Sequence, residues 1–293
     1  MLVTMSQREI DAHAPDVLLP PDSEFAAQYA ADVLRGNEIA KQSSVAFVAI
    51  CRNAMPWLTS TLAAIEETGS RFASWSCFIF ENDSEDETKE VLSQWHDGEQ
   101  RVVELTNNSR PHLNFTTEPV RTIALAEYRT RCQEYVRSIA PVDYVVVFDT
   151  DPWGGWSIDG MMTSLRHFET HPAASMFASY SWFRQHDVQR LALHYDAFAA
   201  RLNHWERRDQ NWFHWWHPPV GSRPVRFNSA FGQLAIYKRE PYLAGVYTGE
   251  DCEHVTHCKT MPGEVWLNPS QRCVSFWVPD GAGGTDGGQH NEH

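Results

Sequence analysis

Val45-Ala46-Phe47-Val48-Ala49-Ile50 is apolar at every position and ends in a polar turn, Cys51-Arg52-Asn53. A run that long without alternation has no face for water, so it reads as a strand of a parallel sheet buried on both sides. Two further runs repeat the arrangement. Trp75–Phe80 stops at Glu81-Asn82-Asp83-Ser84-Glu85-Asp86-Glu87-Thr88, and Asp143–Phe148 stops at Asp149-Thr150-Asp151. Helical patterns over Trp57–Thr68, Thr88–Trp95 and Arg121–Val136 separate them, while residues 98–118 read as polar and irregular. Strand and helix in alternation predict an α/β domain with a mainly parallel central sheet flanked by helices. Ligands of such sheets lie beyond the carboxyl ends of the strands, so the three polar tips are expected to converge on one cleft.

Residues 1–43 are expected to form a helical extension, with Phe25, Tyr29 and Val33 at helical spacing. Residues 44–280 are expected to form the domain, and residues 281–293 a flexible glycine-rich tail. The stretch 180–220 is dense in aromatics and histidines, and Leu234–Tyr237 reads as a short strand. The net charge of −14 argues against nucleic acid or an anionic membrane as a partner. No apolar run reaches the roughly eighteen residues of a membrane-spanning helix. The start of the chain lacks a basic-then-apolar signal pattern, and the six cysteines include no C-x-x-C pair. Reduced thiols and a cytoplasmic location are the expectation.

Chemistry concentrates in a few places. Asp149 and Asp151 can reach one divalent cation, because Mg²⁺ and Mn²⁺ favour carboxylate oxygens with waters and substrate phosphates completing the shell. Glu250-Asp251-Cys252-Glu253-His254, followed by His257, holds three acids and two histidines within eight residues. If it opens a helix, Glu250, His254 and His257 share a face and offer a metal ligand beside a base. The bland alternative, acids drawn to a helix N-terminus by its dipole, leaves the histidines unexplained. A zinc site from His254, His257 and Cys258 is a rival reading. The loop Glu81–Thr88 could receive a nucleoside, although Ser84 or Asp86 capping the next helix is the ordinary role for such a segment. Arg52, Arg121 and Arg129 are candidate partners for a diphosphate.

Taken together, the strand ending in C-R-N, the E-N-D-S-E-D-E-T loop, the R-x₇-R helix, the strand ending in D-T-D and G-E-D-C-E-H resemble a GT-A-fold, nucleotide-sugar-dependent glycosyltransferase. Val45–Thr88 resembles the start of the family 2-like enzymes. The span from about Val45 to His257 resembles more closely the fungal capsule-associated α-1,3-mannosyltransferases, with Leu234–Tyr237 as their L-A-I-Y segment. The resemblance implies a GT-A, Rossmann-like fold and Mn²⁺ or Mg²⁺ as cofactor. It implies transfer of a sugar, with mannose as one candidate, from a nucleotide-diphosphate sugar to a saccharide or other hydroxyl acceptor, as in polysaccharide biosynthesis. Glu81 would read the nucleobase, with Cys51, Arg52, Asn53 and Asp83 beside it and Arg121, Arg129, Asp149 and Thr150 completing the nucleotide-sugar set. Glu81 followed by Asn82 departs from the family 2 pattern, and the donor stays open between a GDP- and a UDP-sugar. Asp149 and Asp151 would bind metal, with His254 or His257 completing the shell.

Asp251 or Glu250 would face the acceptor. An inverting reaction would use Asp251 as base; a retaining one would let the leaving phosphate take the proton. Trp212, Trp215 and Trp216, interleaved with His214 and His217, are the expected acceptor platform, since a sugar's C–H face stacks on indole. The alternative is that they brace an aromatic-rich acceptor-side region. A metal-dependent phosphoesterase or other hydrolase and a non-catalytic sugar-binding module are the competing functions.

Overall fold

The computed structural model describes residues 15–110, 118–152, 155–184, 192–195, 198–202 and 211–277. The elements run α1 (Pro15–Leu18), α2 (Ala26–Ala40), β1 (Ser44–Cys51), α3 (Leu58–Gly69), β2 (Ser74–Asn82), α4 (Thr88–Trp95), β3 (Arg101–Thr106), α5 (Pro119–Ser138) and β4 (Tyr144–Asp149). Then come α6 (Ile158–Thr170), β5 (Ala174–Arg184), β6 (Ala192–His194), a 3₁₀ turn (Asn211–Trp215), β7 (Val225–Phe227), β8 (Leu234–Lys238), α7 (Arg239–Ala244), α8 (Glu253–Thr260) and β9 (Glu264–Trp277). Of the expected segments, 281–293 and the first fourteen residues lie outside the described residues.

One mixed sheet carries all nine strands, in the order β3-β2-β1-β4-β8-β5-β9-β7 with β6 beside β5. Strands β3, β2, β1 and β4 are parallel neighbours, and β5 and β9 run the same way. Strands β6, β7 and β8 run against them. Helices cover both faces. On one face Ala46, Val48, Val145, Val147 and Tyr237 pack against Tyr128, Cys132 and Val136 of α5 and Val255 and Cys258 of α8. On the other, Phe47, Ala49, Val146 and Phe148 pack against Leu58, Leu62 and Ile65 of α3 and Met161, Met162 and Leu165 of α6. Apolar residues are thus needed on both faces of β1 over Val45–Ile50 and of β4 over Val145–Phe148.

The expectation that residues 98–118 are irregular is corrected by β3. It is an edge strand, only half-buried along most of its length, so its polar Arg101, Glu104 and Thr106 hide the strand signal. The amino-terminal helix α2 lies on α6, and Gly36 makes that approach possible: a Cβ there would sit 1.9 Å from the Met162 carbonyl oxygen. Ahead of it, Asp16 Oδ1 pairs with the fully buried Arg272 of β9 at 2.7 Å.

Candidate functional site

The register fixes where the polar tips stand. Cys51 lies opposite Glu81 and Ile50 opposite Asp149, so the ends of β2 and β4 flank the end of β1 at one edge of the sheet. The first two loops are laced together. The Asn53 amide donates to Ser84 Oγ (2.9 Å), the Met55 amide to Asp86 Oδ2 (3.1 Å) and the Glu85 amide to Asn53 Oδ1 (2.8 Å). Asp86 Oδ1 accepts the Thr88 amide at the start of α4 (3.0 Å), whereas the N-cap position itself is Glu87, without a side-chain cap. Glu81 is buried; its Oε1 accepts the Ser84 amide at 2.7 Å, and its Oε2 has no hydrogen-bond partner.

Beside them opens a cavity of about 450 Å³ lined by Arg52, Asp83, Ser84, Glu85, Lys89, Asn107, Ser109 and Arg110. Asp83 sits at φ +57°, and its Oδ1 accepts the Asn108 and Ser109 amides at 2.7 and 3.0 Å, which ties the β2 and β3 loops together. Its Oδ2 is buried without a partner. Three cations and two acids line it beside neutral polar groups, so the cavity suits a polar ligand that both donates and accepts hydrogen bonds. Cys51 and Thr150 are also at this edge but turn inward: Cys51 is buried, and the Thr150 carbonyl accepts from Thr61 Oγ1 at 3.1 Å.

At the end of β4, the Asp149 amide donates to the Gln233 carbonyl at 2.8 Å. The turn that offers this carbonyl contains Gly232 at φ +63°, where a Cβ would lie 2.1 Å from the Ser179 carbonyl oxygen. Asp149 Oδ1 accepts from Arg129 Nη2 of α5 at 2.8 Å, and Arg129 is 2% exposed. Burial pushes the Asp149 pKa up against the pull of Arg129. Asp151 is solvent-exposed, and desolvation by its neighbours followed by repulsion from Asp149 pushes its pKa up to about 6. Arg121, half-buried one helical stretch before Arg129, acts electrostatically on both aspartates.

Two neighbouring carboxylates, one of which raises the proton affinity of the other, suit a divalent cation, and the donor set, carboxylates without thiolate, suits a hard one. Among the described residues no group of three or more His, Cys, Asp and Glu gathers to hold a metal by itself. A cation here would therefore take its remaining ligands from water and substrate.

The acidic knot differs from its expected geometry. Helix α8 begins only at Glu253, so Glu250 and Asp251 precede it, and Glu250 does not share a helical face with the histidines. Glu250 is exposed. Asp251 is 43% exposed, and its Oδ1 accepts the Cys252 amide at 2.7 Å and Arg201 Nη2 at 3.3 Å. Both histidines face the core. His254 stacks on Phe231 (3.7 Å between ring centroids), and burial holds its pKa well below the ordinary value. His257 Nε2 lies 3.0 Å from the Tyr242 carbonyl, its ring stacks on Tyr247, and burial lowers its pKa to about 4. The structure thus gives both rings packing positions, and neither joins Asp149 and Asp151 in a ligand cluster. Cys258 is buried with its Sγ 3.7 Å from Met176 Sδ, away from any zinc-like group.

The residue that sequence reasoning passed over is Glu253. It is buried, with Oε1 3.9 Å from Arg129 Nε and 3.5 Å from His254 Nε2. Its position as the first residue of a helix had made it look like a dipole partner only.

The aromatic region is built on the second half of β5, on β6 and on the turn that follows, and its buried rings belong to the core face covered by α5 and α8. Tyr180 stacks on His194 (4.1 Å) and Trp182 on His217 (5.1 Å). Trp216 is half-buried against Phe213 and Phe227, whereas Trp215 is 56% exposed. The Trp212 side chain lies outside the described residues.

The chain matches no protein-family model and no curated protein. Among solved structures it is similar to a mannosyltransferase from Pyrobaculum calidifontis in complex with GDP-Man and Mn²⁺. That match has 14% identity and a TM-score of 0.46 over 88% of this chain and 68% of the other. It is also similar to GalNAc-T7 with UDP, GalNAc and Mn²⁺, at 11% identity and TM-score 0.47 over 90% of this chain and 54% of that one. A third is glucosyl-3-phosphoglycerate synthase from Mycobacterium tuberculosis in complex with Mn²⁺, UDP and phosphoglyceric acid. It matches at 12% identity and TM-score 0.45 over 76% and 65% of the two chains. At these scores the likenesses carry no functional argument. All six cysteines are buried, and among the described residues no helix is long and apolar enough to cross a membrane.

Proposed function

We propose that the chain is a metal-dependent glycosyltransferase of the GT-A type, transferring a sugar from a nucleoside-diphosphate sugar to a hydroxyl acceptor. The observation that supports it best is the alignment of two features on one sheet edge. The polar cavity lies among the β1, β2 and β3 loops, and the Asp149/Asp151 strand end, with Arg129 and Arg121, lies at the same edge on β4, the parallel neighbour of β1. A nucleoside in the cavity would place its diphosphate toward Asp149, Asp151 and Arg121. A two-metal phosphoesterase would need a larger group of metal ligands than any found among the described residues.

In this reading Asp149 and Asp151 hold Mn²⁺ or Mg²⁺, which would neutralise the charge that develops on the departing diphosphate. Arg121 adds a positive charge from the protein, and Arg129 keeps Asp149 aimed at the cleft. Arg52 and Lys89 receive the nucleoside end. Asp251, half-exposed at the entrance to α8, orients the acceptor hydroxyl or takes its proton. Trp215 offers the exposed indole on the acceptor side. A GDP-sugar, mannose as the sugar and a saccharide acceptor are the finer proposals, and they rest on the mannosyltransferase resemblance of the motifs. We also propose residues 44–280 as the catalytic domain.

The test is a panel of nucleotide sugars with and without Mn²⁺, read by thermal shift and by release of nucleoside diphosphate. One nucleoside diphosphate should stabilise the protein in a Mn²⁺-dependent way. Stabilisation by free sugars alone would favour a binding module, and release of inorganic phosphate from simple esters would favour a hydrolase.

A further inference from the structure

Arg129 is nearly sealed from solvent, and a buried guanidinium persists only beside compensating charge. It has two such charges, held unequally. Its Nη2 makes a 2.8 Å hydrogen bond to Asp149 Oδ1, whereas its Nε stands 3.9 Å from Glu253 Oε1 and makes no hydrogen bond. Both His254 ring nitrogens are likewise buried and without partners. On the Asp149 side the carboxylate is 27% exposed and opens toward the cleft; on the Glu253 side it is 6% exposed and has no way out. One positive charge is therefore shared between a carboxylate that can meet a ligand and one that cannot.

We infer that Glu253, acting through Arg129, sets how tightly Asp149 holds a divalent cation. It is a positioning residue, not a ligand. The inference rests on the cation reading proposed above. With Glu253 charged, Arg129 is compensated from behind and Asp149 keeps much of its negative charge for the cleft. With Glu253 neutral, the whole guanidinium charge bears on Asp149, and an incoming cation meets a less negative pair. The rival account, an acid that merely favours the α8 dipole, predicts a change in stability and none in cation affinity.

The experiment is a Mn²⁺ titration of the full chain loaded with nucleoside diphosphate, by calorimetry or by the loss of free Mn²⁺ resonance, beside a thermal melt without metal. Glu253→Gln should weaken Mn²⁺ binding about tenfold or more, and Glu253→Asp, which keeps the charge, should stay within about threefold of the unaltered chain. Equal weakening by both variants, or none by Glu253→Gln, overturns the inference and leaves the function standing. Failure of the unaltered chain to bind Mn²⁺ overturns both. Should Glu253→Gln not fold, the double variant Arg129→Gln with Glu253→Gln removes both buried charges together. It should bind Mn²⁺ no more weakly than the unaltered chain, and a tenfold loss there would equally overturn the proposal.

Discussion

The two halves of the sheet solve different problems with the same backbone. In the first half, the interiors of β1 and β4 are apolar throughout, and polarity is concentrated at the strand ends and in the loops that follow. From β5 to β9 polarity runs inside the strands. Ser179 and Ser181 of β5 and Asn268, Gln271 and Arg272 of β9 are all buried. Each finds partners: Gln271 Nε2 donates to Ser179 Oγ at 2.9 Å, Ser164 Oγ of α6 donates to Gln271 Oε1 at 2.6 Å, Asn268 Nδ2 donates to Thr163 and Ser164 of α6 at 2.8 Å, Ser181 Oγ donates to Gln233 Oε1 at 2.9 Å, and Arg272 Nη2 donates to Asp16, Tyr29 and Ser157. The first half keeps its carboxylates where a ligand can reach them; the second spends its polar groups on fixing the sheet.

The sharpest test of the first half is Asp151→Ala. The side chain is exposed and supports little packing, so the melting temperature should stay within about 2 °C while Mn²⁺-dependent nucleotide binding falls by about 10²-fold or more. Normal binding by that variant would reduce the strand end to a loop like any other.

Asp251→Asn should lower turnover by about 10²-fold with donor affinity nearly unchanged, because it removes charge but keeps the hydrogen bonds that shape the turn. A donor KM that rises instead, with kcat preserved, would move Asp251 from the acceptor side to the nucleotide.

In the second half the corresponding break is Gln271→Leu. It strands Ser179 and Ser164 in the interior, and the expected cost is about 2–3 kcal/mol by chemical denaturation. A neutral result would mean that the buried polar layer does not hold the sheet together and that the contrast between the halves is superficial.

This contrast also explains what the sequence disclosed. β1, β2 and β4 were legible because nothing polar interrupts them, and so were the acidic tips that follow. β9 escaped notice because Asn268, Ser270, Gln271 and Arg272 break its apolar pattern, and only the partners across the sheet make them buried residues. Asp149 and Asp151 could be picked from the strand that precedes them. Glu253 could not, since its meaning comes from Arg129, more than a hundred positions earlier. The histidines misled for the complementary reason: a metal-like spacing in sequence became stacking on Phe231 and Tyr247 once α8 packed on the sheet.

A pH series sharpens the first half further. Asp151 has a folded-state pKa raised to about 6, so the proton is held more tightly in the folded chain than in the unfolded one. Any stability this contributes is present below the unfolded pKa and is lost as pH rises through about 6. Cation binding runs the other way, since it needs the ionised carboxylate: Mn²⁺ affinity should drop roughly tenfold per pH unit below about 6 and be level above it. Asp151→Ala should flatten that profile.

The smallest expected effect belongs to the aromatic end of the second half. Trp215 and Trp216 are adjacent, and the structure sends them in opposite senses. Trp216 packs among Phe213, Phe227 and Tyr180, and its carbonyl accepts the Tyr180 hydroxyl, so its replacement would disturb the core. Trp215 is 56% exposed and can be removed without leaving a cavity. An exposed indole beside the aromatic cluster fits a sugar's C–H face, with stacking worth on the order of 1 kcal/mol. Trp215→Ala should therefore raise the acceptor KM about threefold to tenfold, leave the donor KM unchanged and hold the melting temperature within about 1 °C. If the acceptor KM does not move while Trp216→Ala unfolds the protein, the aromatic region is a brace, and acceptor recognition lies with the polar groups around Asp251.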